Sequence, residues 1–277
     1  MFAPVPGVPA APPAFGLVAS AERPDPAQLP NWELGLVWVP ERCATEYRLA
    51  PACVAADPAD YRPPRPAEAV YYRPVDLQLA EECSTLSGPV DEARLRRIAE
   101  AQTPFAVARE LWSGAGTQAD PFDSPAGSSQ TNPYLASAAA TEVSGSPAAS
   151  VRLGIGLLEQ AAMEAAAGQQ VFLHVPVMML PQLGEYVYRV GQVLYTLAGN
   201  VVIADGGYEG TGPSGEPVGA TAWAYATSPV SVLMSPLEIT SGPESIDHAT
   251  NTRTAWASRV VAALFDPCVH LAIEIEL

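Results

Sequence analysis

The chain has 277 residues and is 48% hydrophobic, enough to bury a sizeable core in one large or two small domains, which excludes a wholly disordered protein. A net charge of −16 and a pI near 4.4 exclude a generic basic nucleic-acid binder, which needs clustered positive charge. All 14 basic residues are arginine, so no chemistry that needs a lysine side chain is open to it, whether Schiff base, isopeptide bond or P-loop.

In chain order, residues 1–31 are rich in Pro and Ala and read as an extended arm that orders against a partner surface. The stretch MFAPVPGVPAAPPAFG lacks the charged start and continuous apolar core of a secretory signal. Leu34–Val39 predicts a strand. Residues 40–68 form a long polar excursion that contains Arg62-Pro63-Pro64-Arg65-Pro66, and Ala69–Val75 predicts the returning strand. Val90–Gly114 then predicts one long helix. Pro89 suits its start, Asp91 and Glu92 complement the dipole of its first turn, and Gly114 suits a left-handed stop. Ile98, Ala101, Phe105, Ala108 and Trp112 make an apolar stripe, Glu92 and Arg96 an i,i+4 pair, and Pro104 a kink.

Residues 115–147 read as a long loop, and Ala148–Ala167 as a second helix closed by Gly168. Val171–Val175 predicts a buried strand, and Pro176–Leu183 a short helix. Gln192–Leu197 and Asn200–Ala204 predict strands around the turn Ala198-Gly199. Asp205–Gly219, DGGYEGTGPSGEPVG, is a Gly-rich loop, read as flexible and partner-facing. Ala220–Thr227, Val230–Leu233, Thr252–Leu264 and Val269–Ile275 predict further strands. The last alternates Val269, Leu271, Ile273 and Ile275 with a polar face carrying His270, Glu274 and Glu276.

The residues that could carry chemistry read more simply as structure. The Gly-rich loop is followed by Pro213, Pro217 and a strand, whereas a dinucleotide fingerprint must open a helix. Gly154-Ile155-Gly156 suggests close helix–helix packing. His174 reads as a satisfied buried imidazole, and His248 has no second ligand at metal spacing. A Ser-His-Asp site has no G-x-S-x-G elbow to build on. Trp112, Trp223 and Trp256 read as core. Cys43, Cys53, Cys83 and Cys268 form no C-x-x-C pair and read as free thiols, although Cys43 and Cys53 could meet across a hairpin. No apolar run reaches the length of a membrane span. No catalytic residue, cofactor or metal is expected.

The order of parts resembles the HK97 fold of tailed-phage major capsid proteins and encapsulins, an α+β fold. The most specific similarity is Val75–Gly114: an apolar strand at Val75-Asp76-Leu77, an acidic turn at Glu81–Gly88, and a helix ending in Glu110-Leu111-Trp112-Ser113-Gly114. TAWAYATSPV (221–230) and NTRTAWASRVVAALFDPCVHLAIEIEL (251–277) resemble the closing region of actinobacteriophage capsid-type proteins, where paired P-domain strands follow an A-domain strand. The resemblance implies an N-terminal arm (1–33), an E-loop region (34–75), a P-domain with a spine helix at 90–113 and a following loop (76–147), an A-domain (148–250) and closing P-domain strands (251–277). It implies a major capsid protein that self-assembles as hexamers and pentamers around double-stranded DNA, without sequence-specific binding. The virion capsid would assemble in the host bacterial cytoplasm, with scaffold, portal or decoration proteins as further partners. An encapsulin-type compartment, an α/β enzyme using the Gly-rich loop and an accessory virion protein on the outside of a shell are the alternatives. The interface candidates are Arg62, Arg65, Arg94, Arg96, Arg97 and Tyr208. Without lysine, a Lys–Asn cross-linked shell cannot form.

Overall fold

The computed structural model describes residues 15–40, 69–84, 91–123, 129–241, 246–247 and 249–277. The expectations for residues 1–14, for 41–68 with Arg62 and Arg65, and for His248 lie outside them.

The described chain begins with one helical turn, α1 (Leu17–Ser20), whose Leu17 and Val18 are buried. Strand β1 (Leu36–Trp38) pairs antiparallel with β2 (Val70–Tyr72), so the two strands predicted either side of the excursion form one ribbon. β3 (Val75–Ser84) extends through Glu81–Ser84, where an acidic turn was expected. Helix α2 (Glu92–Ser113) is continuous through Pro104. Asp91 is its cap rather than part of its first turn, and accepts from the Arg94 amide at 2.9 Å. Gly114, at φ +63°, ends it as predicted. The predicted Glu92–Arg96 pair gives way to tertiary bonds: Glu92 accepts from Ser241, and Arg96 donates to the Leu237 carbonyl.

The stretch expected to be a structureless loop holds α3 (Ala115–Ala119), β4 (Phe122–Asp123), β5 (Ser129–Gln130) and β6 (Thr141–Glu142). Then follow α4 (Val151–Ala165), β7 (Phe172–Pro176), α5 (Leu180–Leu183), β8 (Val187–Val190), β9 (Val193–Thr196) and β10 (Val201–Asp205). After the Gly-rich loop come β11 (Thr221–Thr227), β12 (Ser231–Met234), β13 (Glu238–Thr240), β14 (Ile246–Asp247), β15 (Thr252–Leu264) and β16 (His270–Glu276).

These strands build two principal sheets. The larger has seven strands in the order β6-β16-β11-β7-β10-β9-β8. The smaller centres on β15, which pairs antiparallel with β12, β13, β14 and, over ten residues, β3. The two closing strands therefore do not pair with each other. β15 belongs to the sheet with β3, and β16 pairs with β11 in the other.

The period of two in TAWAYAT explains how the larger sheet is covered. Ala222, Ala224 and Ala226 point to the α4 side, where they face large neighbours on β16: Ile275, Ile273 and Leu271. Trp223 and Tyr225 point to the opposite side, beneath α2, where β16 offers Glu274 and Ala272. On the α4 side small residues are thus set against large ones, which suits close packing. α4 comes so close that a Cβ on Gly154 would lie 2.6 Å from Ile275. Gly154 thus serves helix-to-strand packing, not the helix–helix packing expected from its spacing.

Helix α2 bridges both sheets. Leu95 and Ala99 pack with Ala255 and Ala257 of β15 and with Leu79 of β3. Val107, Ala108, Leu111 and Trp112 pack with Tyr208, Trp223 and Tyr225 of the larger sheet's core. The predicted stripe had the wrong phase. Ala108 and Trp112 are buried, but Phe105 is 49% exposed, and the buried row is Leu95, Ala99, Thr103, Val107 and Leu111.

The β1–β2 ribbon is tied to the turn between β15 and β16. The buried Tyr72 hydroxyl donates to the Phe265 carbonyl at 2.7 Å and accepts from the Phe265 amide at 3.2 Å, while the Trp38 indole donates to Asp266. Tyr72→Phe would leave both Phe265 backbone groups unsatisfied. Urea denaturation is expected to show a loss of about 1–3 kcal/mol, and an unchanged midpoint would contradict this anchoring. In the same turn Cys268 is disulfide-bonded, which corrects the free-thiol expectation for that residue.

Candidate assembly surfaces

The buried polar groups hold the layers together. His174 lies on β7 beneath α2 and is fully buried. Its Nε2 is 2.9 Å from the Thr227 hydroxyl, which spends its own proton on the Ser228 carbonyl. Nε2 is therefore the donor, and Nδ1 accepts from the Tyr208 hydroxyl at 2.8 Å. The expected satisfied imidazole is what the structure holds. His270 corrects its expectation: it lies on a covered face, 4% exposed, bonded to the Leu135 carbonyl. Among the described residues, no group of three or more His, Cys, Asp or Glu could hold a metal ion.

Burial pushes His174 down to about 3, with the charge of His270 adding to the effect, and burial also lowers His270. Between about 3 and the ordinary value near 6.5, the unfolded chain binds protons that folded His174 refuses. Its contribution is therefore complete above 6.5 and is lost as pH falls toward 3. The thermal midpoint is expected to fall between pH 7 and pH 4, and to fall less in His174→Gln. Equal slopes in the two proteins would contradict the buried neutral state.

Glu159 of α4 makes a second polar lock. It accepts from Asn200 at 2.7 Å and from the hydroxyls of Thr196 and Tyr186. Three neutral donors and no described cation make a structural tie from α4 to the β8–β10 edge.

The Gly-rich loop is not the open, partner-facing segment that its composition suggested. Its first half docks beneath α2. A Cβ on Gly207 would lie 2.5 Å from the Phe105 carbonyl oxygen and 2.8 Å from the Arg109 amide nitrogen. Tyr208 is 4% exposed, its ring 5.0 Å from that of Trp112. The Trp112 indole donates to Thr211 at 2.9 Å, and Arg109 pairs with Glu209 at 2.9 Å. In the first half only Gly206 and Glu209 are exposed, whereas the second half is exposed continuously over Ser214–Pro217. Tyr208 is thus inside the protomer and offers no surface to a neighbour.

The other interface candidates divide. Arg94 is half exposed and already paired with Glu81 of β3. Arg96 reaches the Leu237 carbonyl, and Arg97 is exposed on α2. What sequence reasoning missed is apolar. Tyr188 and Val190 are exposed on β8, the edge strand of the larger sheet, with Leu197 at the β9–β10 turn beside it. Leu34, Val37 and Val39 are exposed around β1. Trp256, expected in the core, is 44% exposed on the outer face of β15. An edge strand and scattered large apolar groups are features that self-association covers. A sequence signal for β8 existed in the β-branched and aromatic residues Val187, Tyr188 and Val190 just before Gly191.

No protein-family model and no curated protein matches the sequence. The structure does find relatives. A chain from the capsid of an empty GTA particle covers 99% of this chain and 92% of its own length, at 12% identity and a TM-score of 0.57. The chain has a capsid-protein fold. A chain from Microbacterium phage Oxtober96 is similar over 100% of this chain and 95% of its own, at 8% identity and a TM-score of 0.57. One from Gordonia phage Cozz covers 96% and 87%, at 11% identity and a TM-score of 0.50. The capsid-protein fold here is a mixed α+β one, and among the described residues no helix is long and apolar enough to cross a membrane.

Proposed function

We propose that this chain is the major capsid protein of a tailed phage, self-assembling as hexamers and pentamers into an icosahedral shell around double-stranded DNA. The observation that carries the reading is the near-complete overlap with the capsid chain of the GTA particle, from one end of this chain to the other.

On this reading α2 is the spine of an HK97-type P-domain, with β3, β13 and β15 beside it. The larger sheet and α4 make the A-domain, which takes β16 as well. Residues 1–33 are the arm and 34–75 the E-loop region. The edge strand β8 and the exposed tip of the 205–219 loop face neighbouring subunits. The negative charge of the chain keeps its walls from binding the packaged DNA tightly. Arg62 and Arg65 pair with acidic groups of an adjacent subunit. Scaffold, portal or decoration proteins complete the particle, which assembles in the host cytoplasm.

Negative-stain microscopy of the expressed chain tests the reading. Uniform closed shells are expected, and monomers or open aggregates at every concentration and salt would sink it. Charge reversal at Arg62 and Arg65 is expected to block closure, and normal shells from that variant would remove the pairing.

A further inference from the structure

The groove between α2 and strands β3 and β15 holds about 70 Å3 of free space. Its walls include Leu77, Leu79, Ala99, Ala106 and Leu237, and its polar groups include Gln102, Thr103 and Arg259. Arg259 shares with Ala255, Ala257 and Val261 the face of β15 turned toward α2. Its Nε is buried without a hydrogen-bond partner, and among the described residues it enters no ion pair. Arg96 lies near enough to oppose its charge, and Glu100 near enough to favour it. Arg96 meanwhile donates to the Leu237 carbonyl on the groove's wall. Arg259 is partly buried, and it is its Nε that is shut from water without an acceptor; the best match for a guanidinium fork is a carboxylate taken on two parallel bonds.

We propose that this groove seats a carboxylate side chain of a second copy of the chain, held by the Arg259 guanidinium with Arg96 beside it. Charge complementarity decides the occupant. Each copy carries 30 acidic residues against 14 arginines, so a second copy offers carboxylates in excess of guanidiniums. The apolar part of the walls lowers the local dielectric and strengthens the pair once it forms. The inference deepens the shell reading, since it names one contact by which copies hold each other.

Sedimentation velocity of the full chain, with its Arg259→Gln and Gln102→Glu variants, tests it. Arg259→Gln removes the charge and is expected to weaken self-association about tenfold without lowering the monomer's thermal midpoint. Gln102→Glu places a carboxylate from the same chain in the groove. It is expected to raise the thermal midpoint and weaken association to a similar extent, and it decides alone if Arg259→Gln does not fold. Either folded variant associating like wild type overturns the seat while leaving shells intact. Variant shells that form normally but lose packaged DNA would assign the groove to phosphate instead, and overturn it too. Discrete small oligomers weakened by both variants would keep the seat and remove the shell. A wild-type chain that stays monomeric removes both.

Discussion

Gly207→Ala is expected to destabilise the protomer by about 3 kcal/mol, out of proportion to the single methyl group added. The new Cβ would meet nothing that yields: two backbone atoms, the Phe105 carbonyl oxygen at 2.5 Å and the Arg109 amide nitrogen at 2.8 Å, and the short Ala108 methyl at 2.9 Å. Those atoms belong to α2, which is held by packing on both sheets and cannot step aside locally. Either the loop after β10 lifts, pulling Tyr208 from His174, or the helix tilts away from Trp223 and Tyr225. The neighbouring Gly206 supplies the control. A Cβ there would lie 3.8 Å from the Phe105 ring, an ordinary contact, so Gly206→Ala is expected to be near neutral. Urea denaturation of the two variants side by side checks this. Equal stabilities would show that the loop does not dock beneath the helix as described.

Trp112→Ala is expected to cost about 3–5 kcal/mol. Trp112 is fully buried at the junction of α2, the Gly-rich loop and the larger sheet. Its ring meets Tyr225 edge-on at 4.9 Å and Tyr208 at 5.0 Å, while its indole nitrogen donates to Thr211. Truncation opens a cavity among aromatics that cannot collapse, and strands the Thr211 hydroxyl. Trp112→Phe keeps most of the volume and loses the hydrogen bond, so a loss of about 1–2 kcal/mol is expected. Thermal unfolding followed by near-ultraviolet circular dichroism separates the two. A Trp112→Ala protein as stable as Trp112→Phe would contradict a tightly packed junction.

Local pattern made much of the architecture readable. TAWAYAT alternates because its two faces meet different layers, and that period survives in the fold. The long helix and its Gly114 stop were readable because caps are local chemistry. The helix stripe was not, and the reason is geometric. A row of every-fourth residues turns about 40° per step, so Leu95 and Leu111 point about 160° apart. That suits a helix facing one sheet at its start and another at its end, and no single stripe describes it. The last strand misled for a similar reason. His270 looked solvated by its period, but Leu135 and Phe265, far away in sequence or across a turn, close over it. β13 and β14 were too short to signal. The disulfide at Cys268 was invisible because spacing does not fix pairing.

The candidate surfaces were less legible than the fold. Tyr208 was chosen for its place in a Gly-rich loop, but the glycines are there to let the loop approach α2, so the tyrosine is drawn into the core. Arg94 and Arg96 find partners within the protomer. Arg259, by contrast, carried a signal that went unread: a charge among Ala255, Ala257 and Val261 on one face of a strand. A partly buried guanidinium whose Nε has no hydrogen-bond partner among the described residues points to a partner outside the chain.

The central claim is that many copies of this fold close into a shell, and a cryo-electron microscopy reconstruction of particles formed by the chain tests it most directly. Icosahedral particles are expected, with α2 and the β15 sheet lying in the wall and the β8 edge meeting neighbouring subunits. A chain that forms no closed particle, or particles whose subunit density cannot hold α2 across both sheets, would contradict the account.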